Sequence, residues 1–419
     1  MRTACSSPCA VAAVAFLSFA PIACSSSPKG EPSIDVPALT PATGDVQAFS
    51  RLTNSIPITI TVGGVSGWAF VDTGNPWALR DPTIFPSAAG LPVNGGTLPS
   101  ITLASEIATN PYVIGSTGGD LQGDSTFSLD GNIGCTVVCG FTPSFNYRDV
   151  TVTLGGAPAP SGLEPAVTVP FSFKGGGTEE GLAVPRSRIV VAVSVEGNMY
   201  SMILDTGASD VTLSGGAFAA LTSDGRTQVS GGTAETASGS STSSITRAAS
   251  IILGGVEVDN LVVAHDTSFD TNLATVSSDV GSTIDGSLGG TFLHEFYVTV
   301  DYTSQTVSFA RYSDTSFVID AGEHIGITLG TEQVGTVTEY GVAAASGDAA
   351  AIGVAEGDVI VAIDGQQLSS LSSLQVATLV FGAVGTTKSV TFGAATNLSG
   401  MTVSIPVEEN LPLPAGVTP

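Results

Sequence analysis

The tripeptide Asp-Thr-Gly occurs twice in this chain, at residues 72–74 and 205–207. Asp-Thr alone occurs five times, but only these two copies are followed by glycine and end a strongly apolar run. An aspartate placed directly after buried strand residues loses hydration, which is costly unless the site uses its charge. Each aspartate could alternatively cap the backbone amides of a turn. Repetition at matching positions makes a shared chemical role the better interpretation.

Two carboxylates brought together cannot both ionise, so one pKa rises and the pair shares a proton. The ionised member can then take a proton from water while the other polarises a peptide carbonyl. This chemistry makes Asp72 and Asp205 a candidate catalytic pair that needs no cofactor and no metal. The threonines can hydrogen-bond across the junction, and the glycines let backbone amides approach the carboxylates. These supporting residues are Thr73, Gly74, Thr206 and Gly207.

An internal repeat supplies the elements that must position the two motifs. Residues 58–62 alternate in polarity, turn at a glycine and rise through an apolar run into Asp72, and residues 191–195 follow the same course into Asp205. In both copies ten residues separate the last valine of the first run from the aspartate. Both blocks are predicted β-hairpins. Since residues 129–134 and 284–289 also correspond, we expect two duplicated lobes, 51–160 and 161–318.

The apolar strand, the Asp-Thr-Gly motif and a later apolar-Gly pair resemble the aspartic peptidases of the pepsin and retropepsin type, over roughly residues 51 to 312. The resemblance implies a mainly β, bilobal fold, hydrolysis of peptide bonds by the paired aspartates, and an extended peptide or protein substrate in the cleft. In retropepsin-like chains a glycine-rich hairpin, the flap, covers that cleft. By position the flap candidates are Ser238 and Gly239 in the second lobe and Tyr112 in the first.

The first lobe departs from this family pattern at two places. Asn75 and Pro76 follow its Asp-Thr-Gly where a small residue is usual, so Asn75 could alter the hydrogen bonding of Asp72. Asn132 stands where an apolar residue often precedes Ile-Gly, and Ser287 is polar at the matching place in the second lobe. A second function therefore stays open, a non-catalytic peptide-binding lipoprotein with a degenerate cleft. Intact motifs in both lobes favour the enzyme.

From about residue 321 the pattern changes, and residues 319–410 form a further predicted domain. The run 357–365, from Gly-Asp-Val-Ile to Asp-Gly, resembles a bacterial PDZ domain. PDZ domains add an extended peptide to a sheet edge and receive its terminal carboxylate on backbone amides. By position those amides belong to Ile325, Gly326 and Ile327. The alternative is a packing module without a ligand.

The N-terminus is typical of an exported protein. Residues 10–23 form an apolar run that is too short to span a bilayer, which predicts a signal peptide over residues 1–23. The run ends in Pro-Ile-Ala before Cys24, which resembles a bacterial lipobox and implies a lipid-anchored Ser/Pro-rich linker over residues 24–50. Ordinary signal cleavage near Ala23 is the alternative. We therefore expect an aspartic endopeptidase anchored through Cys24 in the outer membrane of a bacterial cell envelope.

The composition agrees with export and excludes some partners. Hydrophobic residues make up 42% of the 419 residues and charged residues only 12%, which favours β-sheet with tight turns over long helices. The net charge of −25 repels phosphate backbones, so nucleic-acid binding is not expected. Cys135 and Cys139 would lie about 6 Å apart on one helical turn, within disulfide reach. Two thiols and three scattered histidines do not make a zinc site.

Overall fold

The computed structural model describes residues 44–76, 78–80, 96–97, 100–103, 106–109, 112–115, 130–155, 158–179, 182–236, 239–334, 337–393 and 398–418. The predicted signal peptide, Cys24 and most of the predicted linker lie outside these residues. Within the described part of the chain, no helix is long and apolar enough to cross a membrane. Strands dominate, as the composition predicts. They form two sheets of eight strands, one of six, one of five and one two-stranded pair.

The first lobe is built around the hairpin that carries Asp72. Its elements are α1 (Gly44–Thr53), β1 (Pro57–Val62), β2 (Val65–Val71), β3 (Ala78–Arg80), β4 (Gly96–Thr97), β5 (Ser100–Leu103), β6 (Glu106–Thr109), β7 (Tyr112–Gly115), β8 (Gly131–Ile133), α2 (Cys135–Val138), β9 (Ser144–Asn146) and β10 (Thr151–Thr153). The strand order of its sheet is β4-β7-β3-β8-β2-β1-β5-β6. Gly63 and Gly64 make the β1–β2 turn with φ of 57° and 86°, a backbone region that favours glycine.

The second lobe repeats this plan around the hairpin that carries Asp205. Its elements are β11 (Val167–Pro170), β12 (Ser172–Glu179), β13 (Leu182–Val195), β14 (Asn198–Leu204), β15 (Val211–Leu213), α3 (Gly215–Leu221), β16 (Val229–Thr236), β17 (Gly239–Leu253), β18 (Val256–Asp266), α4 (Thr267–Val280), β19 (Gly286–Leu288), α5 (Gly290–Leu293), β20 (Phe296–Asp301) and β21 (Thr306–Arg311). The strand order of the main sheet is β12-β13-β14-β19-β15-β18-β17-β16. A 3-10 turn, Thr222–Asp224, follows α3.

The two eight-stranded sheets share one topology around the aspartates. Strand β8 pairs in parallel with β2, as β19 does with β14. Strand β3 pairs in parallel with β7, as β15 does with β18. Matching carboxylates brace both hairpins: Asp130 accepts from the Trp68 amide at 2.7 Å, and Asp285 accepts from the Ser201 amide at 3.0 Å. The repeat in the sequence is therefore a repeat of the structure.

A five-stranded sheet contains strands from both lobes and makes them one body. Its order is β10-β9-β20-β21-β11, and Phe145 of β9 lies opposite Val298 of β20. Aromatic side chains fill the space beside it, with ring centroids of Phe296 and Phe309 5.6 Å apart. One continuous apolar cluster runs through the two lobes and this sheet. Burial of that cluster holds the two aspartate hairpins in a fixed relation.

The C-terminal domain has its own sheet and its own apolar core. Its elements are β22 (Glu323–His324), β23 (Ile327–Val334), β24 (Val337–Ala345), α6 (Gly347–Ile352), β25 (Val359–Ile363), β26 (Gln366–Gln367), a 3-10 turn (Leu368–Ser370), α7 (Ser373–Thr378), β27 (Thr387–Phe392), β28 (Thr402–Pro406) and β29 (Glu408–Glu409). The main order is β23-β24-β25-β27-β28, so β23 forms an edge of the described sheet. Strands β22 and β29 pair separately.

The prediction of an unpacked linker is wrong for residues 44–50, because they begin helix α1. Val46, Ala48 and Phe49 of this helix are buried. The window 24–50 is polar on average, but apolar residues at helical spacing let a short segment of it pack. The start of α1 contacts the C-terminal domain, where the Ser372 hydroxyl donates to Asp45 Oδ1 at 2.6 Å. Leu374 of α7 belongs to the apolar cluster of the two lobes.

A buried arginine also ties the second lobe to the C-terminal domain. Arg247 of β17 is 1% exposed and donates to both carboxylate oxygens of Asp320, at 2.8 and 2.9 Å. It also donates to Glu409 at 3.0 Å and to the Leu411 carbonyl at 2.8 Å. A buried guanidinium is tolerated only when such partners replace its lost hydration. The C-terminal domain is therefore held by a charged cluster as well as by α1.

Candidate active site

The two Asp-Thr-Gly loops meet between the lobes through a reciprocal network of threonine hydrogen bonds. The Thr73 hydroxyl donates to the Leu204 carbonyl and accepts from the Thr206 amide, both at 3.0 Å. The Thr206 hydroxyl donates to the Val71 carbonyl at 2.6 Å and accepts from the Thr73 amide at 3.2 Å. Both threonines are buried. Each hydroxyl thus donates to one backbone group of the opposite lobe and accepts from another. The carbonyl that it donates to belongs to the residue directly before an aspartate.

The two glycines of the motifs let the carboxyl groups approach each other. The amides of Gly74 and Gly207 each donate to Oδ1 of the aspartate in their own motif at 2.9 Å. A Cβ atom on Gly74 would overlap the Asp205 carboxylate, and one on Gly207 would overlap the Asp72 carboxylate. Each carboxyl group therefore lies against the glycine of the opposite loop. The structure brings Asp72 and Asp205 together as a pair.

The electrostatics of the pair are unequal. Burial raises the pKa of Asp72 well above its usual value, and the nearby charge and hydrogen bond of Asp205 raise it further. A hydrogen bond from Asn132 and the charge of Arg188 lower the pKa of Asp72, but their effects are smaller. Asp205 is more exposed than Asp72. Asp72 therefore keeps its proton to a higher pH than an ordinary aspartate does.

The departures of the first lobe have separate structural roles. The Asn75 carbonyl accepts from the Cys135 amide at 2.9 Å, and the Pro76 carbonyl accepts from the Thr136 amide at 3.0 Å, which holds the start of α2. In the second lobe the carbonyls of Ala208 and Ser209 hold α5 in the same way. Asn132 reaches the carboxyl group of Asp72, because its Nδ2 donates to Asp72 Oδ2 at 2.6 Å.

The helix α2 carries the disulfide expected from the cysteine spacing. Cys135 and Cys139 are joined, with Cα atoms 4.7 Å apart. The first two amides of the helix donate to carbonyls of the loop after Asp72, so the disulfide closes the turn directly behind that loop. No group of histidine, cysteine and acidic side chains suited to a metal ion occurs among the described residues.

The flap candidates fall in different places. Strands β16 and β17 form a long antiparallel hairpin in which Thr236 pairs with Gly239, so Gly239 lies beside the tip, while Ser238 lies outside the described residues. Tyr112 instead begins β7, which lies between β4 and β3 within the first-lobe sheet. A strand paired on both sides is not the tip of a hairpin.

Two of the three backbone amides predicted to bind a peptide carboxylate in the C-terminal domain already donate hydrogen bonds within the protein. The Ile325 amide donates to the Val380 carbonyl at 3.1 Å, and the Gly326 amide donates to Nδ1 of His324 at 3.0 Å. The side chains of Ile325 and Ile327 are buried in the domain core. What stays available is the outer edge of β23, which pairs with β24 on its other side.

One site residue carries no recognisable sequence signal. Asn54 follows α1 with φ of 53° and is buried. Its Nδ2 donates to the carbonyl of Ser209, which belongs to the loop after Asp205, at 3.1 Å. Its Oδ1 is hydrogen-bonded to Nδ1 of His294. Burial lowers the pKa of His294 to about 4, so this imidazole is neutral at ordinary pH. Asn54 thus supports the second Asp-Thr-Gly loop from the segment that directly follows α1.

Comparisons with known proteins found a matching family model and similar solved structures. Residues 191–273, which include the end of β13, all of β14 and Asp205, match the family model described as "gag-polyprotein putative aspartyl protease". Among solved structures, the aspartic proteinase from Irpex lacteus is similar with 14% sequence identity and a TM-score of 0.41. That match covers 64% of this chain and 96% of the other. None of the curated proteins matches this chain. The family match is confined to the second lobe.

Proposed function

We propose that this protein is an aspartic endopeptidase that hydrolyses peptide bonds with a water activated by Asp72 and Asp205. The observation that carries the proposal is the meeting of two carboxyl groups from different lobes, each against the glycine of the opposite loop. Burial and mutual repulsion raise the pKa of Asp72, as a pair that shares one proton requires. Aspartates that only capped turns would have no reason to face one another.

The geometry supports a mechanism in which both carboxyl groups return to their starting protonation states. Ionised Asp205 takes a proton from a water between the carboxyl groups, and the water oxygen bonds to the scissile carbonyl carbon. Protonated Asp72 gives its proton to the carbonyl oxygen, which leaves a neutral diol. Asp72 then takes a hydroxyl proton back while Asp205 gives its proton to the amide nitrogen. The C–N bond breaks, and a carboxylic acid and an amine leave.

Substrate capture and location are further parts of the proposal. An extended peptide would lie across the paired aspartates under the β16–β17 hairpin, whose tip region carries the glycine- and serine-rich segment typical of a flap. The PDZ-like C-terminal domain would capture protein substrates by adding a peptide strand to the free edge of β23. The lipobox-like sequence before Cys24 supports export and lipid anchoring in a bacterial envelope.

Cleavage of a fluorogenic peptide library by the mature protein, from acidic to neutral pH, tests the proposal. Asp72→Asn and Asp205→Asn should each abolish cleavage, and the double variant should be no worse, because the two groups act as a unit. Asp314→Asn is the matched control, since Asp314 belongs to another Asp-Thr pair but is exposed, and its carboxylate accepts from the Ser316 amide. Full activity in Asp72→Asn would refute the mechanism. Peptides that bind without being cleaved would support the non-catalytic peptide-binding lipoprotein instead.

A further inference from the structure

The catalytic centre contains a polar side chain that the two-aspartate mechanism does not use, Asn132. It lies in the middle of β8, opposite Phe70 of β2, and is 6% exposed. Its Nδ2 donates a hydrogen bond of 2.6 Å to Oδ2 of Asp72. The other carboxyl oxygen, Oδ1, accepts from the Gly74 amide at 2.9 Å. Both oxygens of Asp72 therefore accept a hydrogen bond from their own lobe.

The second lobe presents a different side chain at the matching position. Ser287 lies in β19 opposite Ile203 of β14 and is 3% exposed. A serine hydroxyl is attached directly to Cβ, so it reaches less far than an asparagine amide. Among the described residues, the Ser287 hydroxyl has no hydrogen-bond partner. The two lobes share their backbone pairing here but differ in the donor that they offer to the aspartate.

Other groups around Asp72 also change its pKa. Asp205 raises the pKa of Asp72, and Arg188 of β13, a buried arginine, lowers it through its charge. The buried hydroxyl of Tyr302 stays neutral, because burial and the charge of Asp72 raise its pKa. Asn132 differs from these groups because it is uncharged and acts through a direct hydrogen bond to a carboxyl oxygen.

We propose that Asn132 is a positioning residue that stabilises the carboxylate that forms when Asp72 gives its proton to the substrate. The inference rests on the proposed peptidase function. A hydrogen bond to an ionised carboxylate is about twice as strong as one to a neutral acid. The Asn132 amide therefore favours the state after proton transfer and makes Asp72 a stronger acid than burial alone would leave it. Asp205 receives no matching donor from Ser287.

The test compares Asn132→Leu, which keeps a similar buried volume and removes the donor, with Ser287→Ala as the matched control. Carbon-13 NMR of aspartate-labelled protein follows the carboxyl titration directly, and Asp72→Asn assigns the Asp72 signal. We expect Asn132→Leu to raise the pKa of Asp72 by about one to two pH units. The alkaline limb of the pH profile of kcat/KM should move to higher pH by the same amount. Ser287→Ala should change neither.

An unchanged Asp72 titration in folded Asn132→Leu protein would overturn the inference. So would a loss of activity with an unshifted pH profile, because that result would assign Asn132 a purely structural role. If the leucine variant does not fold, Asn132→Ser, which copies the second lobe, provides the same comparison. Because the NMR titration needs no turnover, a shifted pKa in a protein that cleaves no peptide would reject the peptidase function while leaving the role of Asn132 standing.

Discussion

Replacing Thr206 with valine removes one hydroxyl from the junction of the lobes while preserving the shape of the side chain. The Val71 carbonyl loses its 2.6 Å donor, and the Thr73 amide loses its 3.2 Å acceptor. A buried backbone group left without a partner costs about 1–3 kcal/mol, so the two groups together should cost about 2–6 kcal/mol of unfolding free energy. A protein whose unfolding free energy exceeds that loss, within the usual range of about 5–15 kcal/mol, stays folded. Since Val71 precedes Asp72, the loosened loop should also reduce kcat/KM, by about a hundredfold for a displacement near 1 Å.

A double-mutant cycle with Thr73→Val checks this reasoning. Urea unfolding gives the stability of the two single variants and the double variant, and peptide cleavage gives kcat/KM for each. The hydroxyl of each threonine accepts from the amide of the other, so the two costs should be strongly non-additive. Thr61→Val is the control, because its hydroxyl bonds to Ser66 on the exposed face and should matter by less than about 0.5 kcal/mol. Additive costs with unchanged activity would refute the view that these bonds position the aspartates.

Three further predictions concern the parts of the fold that surround the site. Arg247→Leu should lower the free energy of unfolding by about 3–5 kcal/mol, because Asp320 and Glu409 lose their buried partner. A thermal midpoint equal to that of the wild type would contradict the role of Arg247 in holding the C-terminal domain. Phe49→Ala should cost about 3–5 kcal/mol by opening a cavity under α1, whereas exposed Gln47→Ala should cost little in the same melts. Because burial lowers the pKa of His294 to about 4, the unfolded chain binds that proton at higher pH. Wild-type stability should therefore fall as pH drops from about 6.5 to about 4, and His294→Gln should flatten this dependence in melts at stepped pH.

The sequence by itself determined the parts of the site that depend on neighbours along the chain. Alternating residues and a glycine turn predicted both hairpins, and the Asp-Thr-Gly ends predicted the aspartates, their threonines and their glycines. These features are local, because a hairpin takes its register from its own turn and side-chain alternation. The disulfide of Cys135 and Cys139 is local for the same reason, since one helical turn separates them. Duplication then predicted that the two loops meet, without showing how closely.

Only the tertiary structure decided which distant side chains complete the site. Asn132 lies 60 residues from Asp72 and reaches it because β8 pairs in parallel with β2. Parallel strands require a long crossover, so their register is absent from any local pattern. The strand that begins at Tyr112 lies between β4 and β3, and this sheet order is likewise absent from the local pattern. The composition of the predicted linker did not reveal that α1 packs against the rest of the protein. Arg247 meets Glu409 across 162 residues, where burial and charge act between segments that only folding brings together.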